Sequence, residues 1–275
     1  MPTEERTQSK SPDRKPRPGK FVWFEHVSRD AKKAQKFYDE VLGWRVEPFP
    51  IGDSTYDTIL AGDTPDTMIG GYTEPASGRQ EPHWISYVSV EDVDRAAKAA
   101  AANGGKIIEP PHDLPGVGRA ARIADPQGAE LYVFRNDTGD PADTPATEPP
   151  PARRFFWNEL HTTNPESAVA FYERVFGFTR QTMDMGAAGN YYILAKDGIS
   201  RAGVTGHLPK GVSPHWLPYV EVDDPDATIA RAKKLGARIP MAPEDIPGVG
   251  RFGILEDPTG AVLAVMKAQP REAGH

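Results

Sequence analysis

The chain has 275 residues, a formal net charge of −7 and no cysteine. The missing cysteine excludes disulfides, thiolate metal sites and cysteine nucleophiles. Mild acidity argues against a nucleic-acid surface, and no apolar run reaches membrane-spanning length, so no nucleic-acid or membrane partner is expected.

Residues 1–19 mix Lys, Arg, Pro and Ser with Glu4, Glu5 and Asp13 and contain no apolar stretch. They read as a disordered tail rather than a secretory signal, and the expected location is the cytoplasm. Residues 21–28 (FVWFEHVS) form an aromatic, β-branched strand pattern. Asp30 is placed to cap a helix on which Ala34, Phe37, Tyr38, Val41 and Leu42 share one face, and Gly43 ends it. Residues 44–49, 55–61 and 67–72 supply three strands, which completes a βαβββ unit.

The pattern restarts with a strand at 84–90, a helix at 94–102 capped by Asp92, and strands at 106–108, 120–124 and 130–135. Residues 137–152, rich in Pro, read as an extended, uncovered linker. Domain one is therefore placed at 20–136 and domain two at 153–269, with a tail at 270–275. Cutting in the stretch 138–150 is expected to leave two fragments, each with a complete pair of βαβββ units.

The second half repeats the first. PGVGR, five residues and DPQGA at 115–129 return as PGVGR, five residues and DPTGA at 247–261, an offset of 247 − 115 = 132. FYDEVLGW at 37–44 is answered by FYERVFGF at 171–178, and HWISYVSVED at 83–92 by HWLPYVEVDD at 215–224. A glycine-rich loop can also cradle phosphate, but here it leads into a strand and lacks the GK[ST] that would follow. The repeat reads as a hairpin and turn, with Pro fixing φ and Gly accepting positive φ.

These blocks resemble the vicinal oxygen chelate (VOC) superfamily, which includes glyoxalase I, extradiol dioxygenases and bleomycin-resistance proteins. The likeness extends to two-domain bacterial glyoxalase-like or hydroxylase-like proteins of the mycobacterial CFP-30B type. The resemblance implies an α+β fold of two VOC domains, each a tandem pair of βαβββ units curved around a concave pocket. Its catalytic members hold a divalent metal with His and Glu on the strands. Counting seven residues back from Asp30 and Asp92, and seven beyond Asp125, gives Trp23, Ile85 and Tyr132 at those places. The same counts in domain two give Trp157, Leu217 and Ala264. None is a competent ligand for such an ion, so no metal or other cofactor is expected.

Residues two apart on a strand share a face. Trp23 then shares a face with Glu25, and Trp157 with Glu159 and His161. His83 and Tyr87, and His215 and Tyr219, do the same on their strands. With Tyr132, these residues make up the expected ligand-binding set, and Glu25, Glu159 and His161 are the candidates for proton transfer. Alternatively, the strand-end histidines hold loops, and the buried carboxylates pair with Arg119 or Arg251. His26 falls on the opposite face from Glu25. Trp84 and Trp216 also turn away, into packing.

The leading reading is a small-molecule protein with one aromatic-lined pocket per domain, either a binder or a metal-independent enzyme. If it is an enzyme, a glyoxalase-like lyase or a hydroxylase- or dioxygenase-like oxidoreductase is expected. A second reading is a metal enzyme with displaced ligands: Glu25 with His83, and Glu159 with His161 and His215. A third is a protein-interaction module with vestigial pockets. A homodimer is left open.

Overall fold

A computed structural model describes residues 14–51, 54–75, 81–145, 147–186 and 189–269. The first half runs β1 (Phe21–Val27), α1 (Ala31–Leu42), β2 (Arg45–Ile51), β3 (Ser54–Leu60), β4 (Met68–Thr73), β5 (His83–Ser89), α2 (Val93–Ala102), β6 (Lys106–Leu114), β7 (Gly118–Ala124) and β8 (Glu130–Asn136). The second half repeats this as β9 (Phe155–His161), α3 (Pro165–Phe176), β10 (Thr179–Asp184), β11 (Asn190–Lys196), β12 (Ile199–Thr205), β13 (His215–Glu221), α4 (Pro225–Lys234), β14 (Arg238–Ile246), β15 (Gly250–Glu256) and β16 (Val262–Ala268). Each half is thus two βαβββ units, as the repeat implies.

Local chemistry sets the elements. Asp30 accepts a hydrogen bond from the Lys33 N–H at 3.1 Å, and α1 buries Ala34, Phe37, Tyr38, Val41 and Leu42. Gly43 closes the helix in the left-handed region at φ 69°, which a side chain would oppose. Strand β6 runs to Leu114 rather than stopping at Ile108. As an edge strand it carries Pro110 and Pro111 through register shifts that an inner strand would not tolerate.

Each half is one eight-stranded sheet, ordered β2-β3-β4-β1-β5-β8-β7-β6 and β10-β11-β12-β9-β13-β16-β15-β14. The inner strands β1 and β5 pair antiparallel, with Glu25 opposite Ile85 and Trp23 opposite Tyr87. The helices lie on one face of each sheet, and those faces meet. Two hydrophobic cores result, and each is built from both halves. One joins Ala97, Ile123 and Val133 to Val169, Phe171 and Leu194. The other joins Phe37, Val41 and Ile59 to Ile229, Leu255 and Leu263, with Phe24 stacked on Phe155 at 4.0 Å.

Most described residues of the linker are exposed, but it is tied down at Asp140 and Asp143. Asp140 is 1 % exposed and accepts from Ser89 Oγ and the Arg17 N–H, both at 2.6 Å. Asp143 pairs with Arg201 at 2.5 Å and Lys20 at 3.2 Å. These two carboxylates thus find partners on both halves, which a Pro-rich composition alone does not reveal. The same contacts hold residues 14–19 of the expected tail, and the Gly19 N–H donates to Ser89 O at 2.8 Å. Residues 1–13 and 270–275 lie outside the described residues.

Shared cores carry a consequence for cutting. A fragment of residues 20–136 alone would expose the half of each core that the other sheet now covers. Each fragment is expected to show little cooperative unfolding by circular dichroism, and co-expression of the pair to restore it. Two fragments that each unfold cooperatively on their own would contradict this.

Candidate functional site

The faces turned away from the helices carry the candidate residues. In the first half, Glu25 accepts from Tyr56 Oη at 2.8 Å and from Tyr87 Oη at 3.0 Å. Trp23 Nε1 donates in turn to Tyr56 Oη at 3.1 Å. Tyr132 stacks on Tyr87 with ring centroids 4.3 Å apart. Tyr132 Oη donates to Glu109, whose other oxygen pairs with Arg122 at 2.7 Å. Burial pushes the Glu25 carboxyl up, and the two tyrosine hydrogen bonds only partly oppose this. The protonated form is therefore easier to reach there than at an exposed glutamate.

The second half repeats the core of this cluster. Glu159 accepts from Tyr191 Oη at 2.7 Å and Tyr219 Oη at 3.2 Å, and Trp157 Nε1 donates to Tyr191 Oη at 3.3 Å. His161 is added, with Nε2 2.9 Å from Glu159 Oε1 in an ion pair that lacks the alignment of a hydrogen bond. Its Nδ1 donates to His207 O at 2.7 Å. Burial works against both charges, yet their mutual attraction wins. The Glu159 carboxyl is lowered and the His161 imidazole raised. Ladder position explains the difference: Val27 stands opposite His83 where His161 stands opposite His215.

The two faces also differ beyond the carboxylates. Tyr132 on β8 faces Arg122 on β7, while Ala264 on β16 faces Ile254 on β15. The missing ring returns from β15, where Phe252 lies with its ring centroid 6.0 Å from that of Tyr219, against Ala120 at the matching place in the first half. Glu109 and Arg122 likewise become Met241 and Ile254. The first face is polar at its outer end and the second apolar.

The histidines at the strand starts serve loops. His83 Nδ1 donates to Glu81 O at 2.8 Å and His215 Nδ1 to Ser213 O at 2.9 Å. Burial lowers the pKa of both. His215 also stacks on His161, centroids 5.3 Å apart. Arg119 and Arg251 do not pair with the buried carboxylates. Strand parity turns them to the helix side, where they bind Asp94 at 2.7 Å and Asp226 at 2.6 Å. Arg122 takes the concave position instead.

Sequence reasoning missed Tyr56, Tyr191, Glu109 and Arg122. A signal for the tyrosines exists in the glycines of β4 and β12. Gly71 lies opposite Glu25 and Gly203 opposite Glu159, and a Cβ on either would overlap the hydroxyl of Tyr56 or Tyr191. Tyr56 also walls a cleft of about 370 Å³ beside the N-terminus of α1, lined further by Lys32, Asp57, Tyr72 and Glu74.

The donor set does not fit a divalent ion. Ile85 and Leu217, at two of the counted ligand positions, are buried in apolar clusters. Among the described residues no group of three or more His, Cys, Asp or Glu side chains is placed to hold a metal ion. Of the displaced set in the second half, His161 donates Nδ1–H to His207 O and sets Nε2 2.9 Å from Glu159 Oε1, and His215 lies parallel to it with its own Nδ1–H given to Ser213 O.

The sequence matches the Glyoxalase/Bleomycin resistance protein/Dioxygenase superfamily over residues 20–133 and 154–265. The chain belongs to this superfamily. It is 33% identical over 258 residues to "Putative glyoxylase CFP32" of Mycobacterium tuberculosis (strain CDC 1551 / Oshkosh), covering 93% of this chain and 97% of that one. It is 29% identical to "Anthracycline biosynthesis protein DnrV" of Streptomyces peucetius, covering 94% of this chain and 97% of that one. The Mn(II)-bound glyoxalase from Novosphingobium aromaticivorans superposes with a TM-score of 0.63 at 19% identity, over 92% of this chain and 83% of that one. The 2,3-dioxygenase LapB from Pseudomonas sp. KL28 gives 0.60 at 13% identity, over 93% and 94%. These likenesses show the superfamily fold. No helix among the described residues is long and apolar enough to cross a membrane.

Proposed function

We propose that this superfamily member binds a small planar organic molecule at each tyrosine–carboxylate cluster without the divalent metal usual in the family. One observation carries the reading. In both halves a largely buried carboxylate is held by two tyrosine hydroxyls beside a tryptophan, where the family's ligand positions carry Trp, Ile or Leu, and Tyr or Ala. An aromatic wall suits a flat ring, and a hydroxyl–carboxylate cluster suits a carbonyl or phenol on that ring. The anthracycline-biosynthesis name of one relative fits the same ligand class. The glyoxylase name of the other fits a carbonyl compound. The second half has the equipment for proton transfer, because its pair sets a carboxyl and an imidazole, each shifted toward its charged form, 2.9 Å apart. That makes a metal-independent acid–base step available there, while the first half serves binding.

The test is calorimetric titration with a panel of planar hydroxyketones and quinones, with and without chelator. Chelation is expected to change neither affinity nor melting temperature. Glu159→Gln is expected to weaken binding at its own site by about 1.5–3 kcal/mol, roughly ten- to a hundredfold, and Glu25→Gln, which mimics the protonated form that burial favours there, by about 1 kcal/mol. Unchanged affinity with the fold retained would remove these carboxylates from the site. A chelator-induced fall in melting temperature, reversed by one divalent ion, would sink the metal-free reading.

A further inference from the structure

Each sheet ends in two edge strands, and an edge strand offers unpaired main-chain groups to any second chain. Three of the four edges are guarded. Strand β2 carries Pro48 and Pro50, β6 carries Pro110 and Pro111, and β14 carries Pro240 and Pro243. Proline has no N–H to give and so blunts an edge. Strand β10 (TRQTMD) carries none, and every one of its side chains is exposed.

The polarity of β10 follows from its hairpin with β11. The Met185 N–H donates to Gly189 O at 2.9 Å, and Asp184 lies opposite Asn190 in an unbroken register. Hydrogen-bonded and non-bonded pairs alternate along an antiparallel ladder. Met183, Gln181 and Thr179 therefore point their main-chain groups inward to β11. Asp184, Thr182 and Arg180 point theirs outward, past the end of the sheet.

We propose that β10 pairs antiparallel with β10 of a second copy of this chain, about a two-fold axis at Thr182. That register sets Thr182 opposite its own counterpart and Arg180 opposite Asp184, twice. All three residues have outward main-chain groups, so each opposed pair exchanges both hydrogen bonds. The opposed side chains carry opposite charge, which favours this register over a shifted one. Each charge has capacity left for it. Glu173 takes Nε and Nη2 of Arg180, and the Gly186 N–H takes one carboxylate oxygen of Asp184. On the other face the pairing brings Met183 over Gln181 of the second copy and Met185 over Thr179. These methionines are 44% and 48% exposed, and pairing would cover them. Met183 is also the ladder neighbour of Tyr191, so the joint borders the Glu159 cluster.

The experiment is sedimentation equilibrium of the full chain across a hundredfold concentration range. The expected mass rises from the chain value of 30.1 kDa toward twice that figure. Thr182→Pro removes an outward N–H and leaves the inner ladder intact, so it is expected to hold the chain monomeric. Asp184→Arg opposes like charges and is expected to weaken association at least tenfold. The double variant Arg180→Asp with Asp184→Arg restores complementarity and is expected to recover it. A chain that stays monomeric throughout overturns the proposal. So does a dimer indifferent to both Thr182→Pro and Asp184→Arg. Should Thr182→Pro fail to fold by circular dichroism, the charge pair and its swap decide alone.

Discussion

Replacing Asp257 by asparagine is expected to lower stability by about 3 kcal/mol, the order found when one member of a buried pair is removed. The same change at the repeat-equivalent Asp125 is expected to cost about 1 kcal/mol, a typical single hydrogen bond. Both aspartates open the DPxG turn of one half and reach into the other. Asp257 accepts from His26 Nε2 at 2.8 Å and Tyr38 Oη at 3.0 Å, across the joint between halves. Its second oxygen takes the Thr259 hydroxyl and the N–H groups of Thr259, Gly260 and Ala261. Asp125 accepts from Tyr172 Oη at 3.2 Å in the mirror arrangement, but Leu160 stands where His26 would be.

That single difference reverses the electrostatics. Burial drives both carboxyls up, yet the His26 hydrogen bond and charge pull Asp257 below its ordinary range. Asp125 has no such partner and stays raised. A lowered carboxyl adds stability that is complete above its unfolded value, about 3.9, and is lost as pH falls through the folded value. A raised carboxyl does the opposite: its contribution is complete below about 3.9 and fades as pH climbs through the folded value. Asparagine mimics the protonated acid, the form that burial favours at Asp125 and that His26 disfavours at Asp257. Urea unfolding at neutral pH measures both variants. Equal losses, or a larger one at Asp125, would mean His26 does not set the difference.

How much of this was legible beforehand follows from range of interaction. Asp30, Gly43 and the DPxG turns act within a few residues, so helix caps and hairpins could be read directly. The two-residue period of a strand placed Trp23 with Glu25 and Trp157 with Glu159. The same rule set His26 on the other face, and there it was invisible as a tie between halves, because its partner lies 231 residues away. Tyr56 and Tyr191 were hidden for a related reason: the repeat offset is 135 there against 132 at the loops, so simple alignment of the halves slides past them. Glu109 sat beyond the expected end of its strand, where consecutive prolines look like a loop unless the strand is known to be an edge. Charge pairing in the linker likewise depends on Arg201, far along the chain.

His161→Val is expected to turn the Glu159 site into a copy of the Glu25 site. Valine is what the first half carries at this ladder position, and both carboxylates already hold two tyrosine hydroxyls. With the imidazole gone, burial should outweigh the two remaining tyrosine hydrogen bonds at Glu159, as it does at Glu25. Its carboxyl should move from below the ordinary glutamate range to above it, as Glu25 does now. Carbon-detected NMR titration of the glutamate carboxyls reads this directly, and Val27→His is the converse variant, expected to bring Glu25 down. Stability follows the same linkage. The lowered Glu159 contributes fully above its unfolded value of about 4.3, and the raised His161 contributes fully below its unfolded value of about 6.5. The pair is therefore worth most between those values. It weakens as pH falls through the folded Glu159 value and as pH rises through the folded His161 value. The stability difference between wild type and His161→Val should trace a bell, with a maximum of about 3 kcal/mol for a pair this buried. A flat difference from about pH 3 to 9, or a Glu159 titration that does not move, would show that Tyr191 and Tyr219 rather than His161 govern the carboxylate. The acid–base role assigned to the second half would then lose its basis.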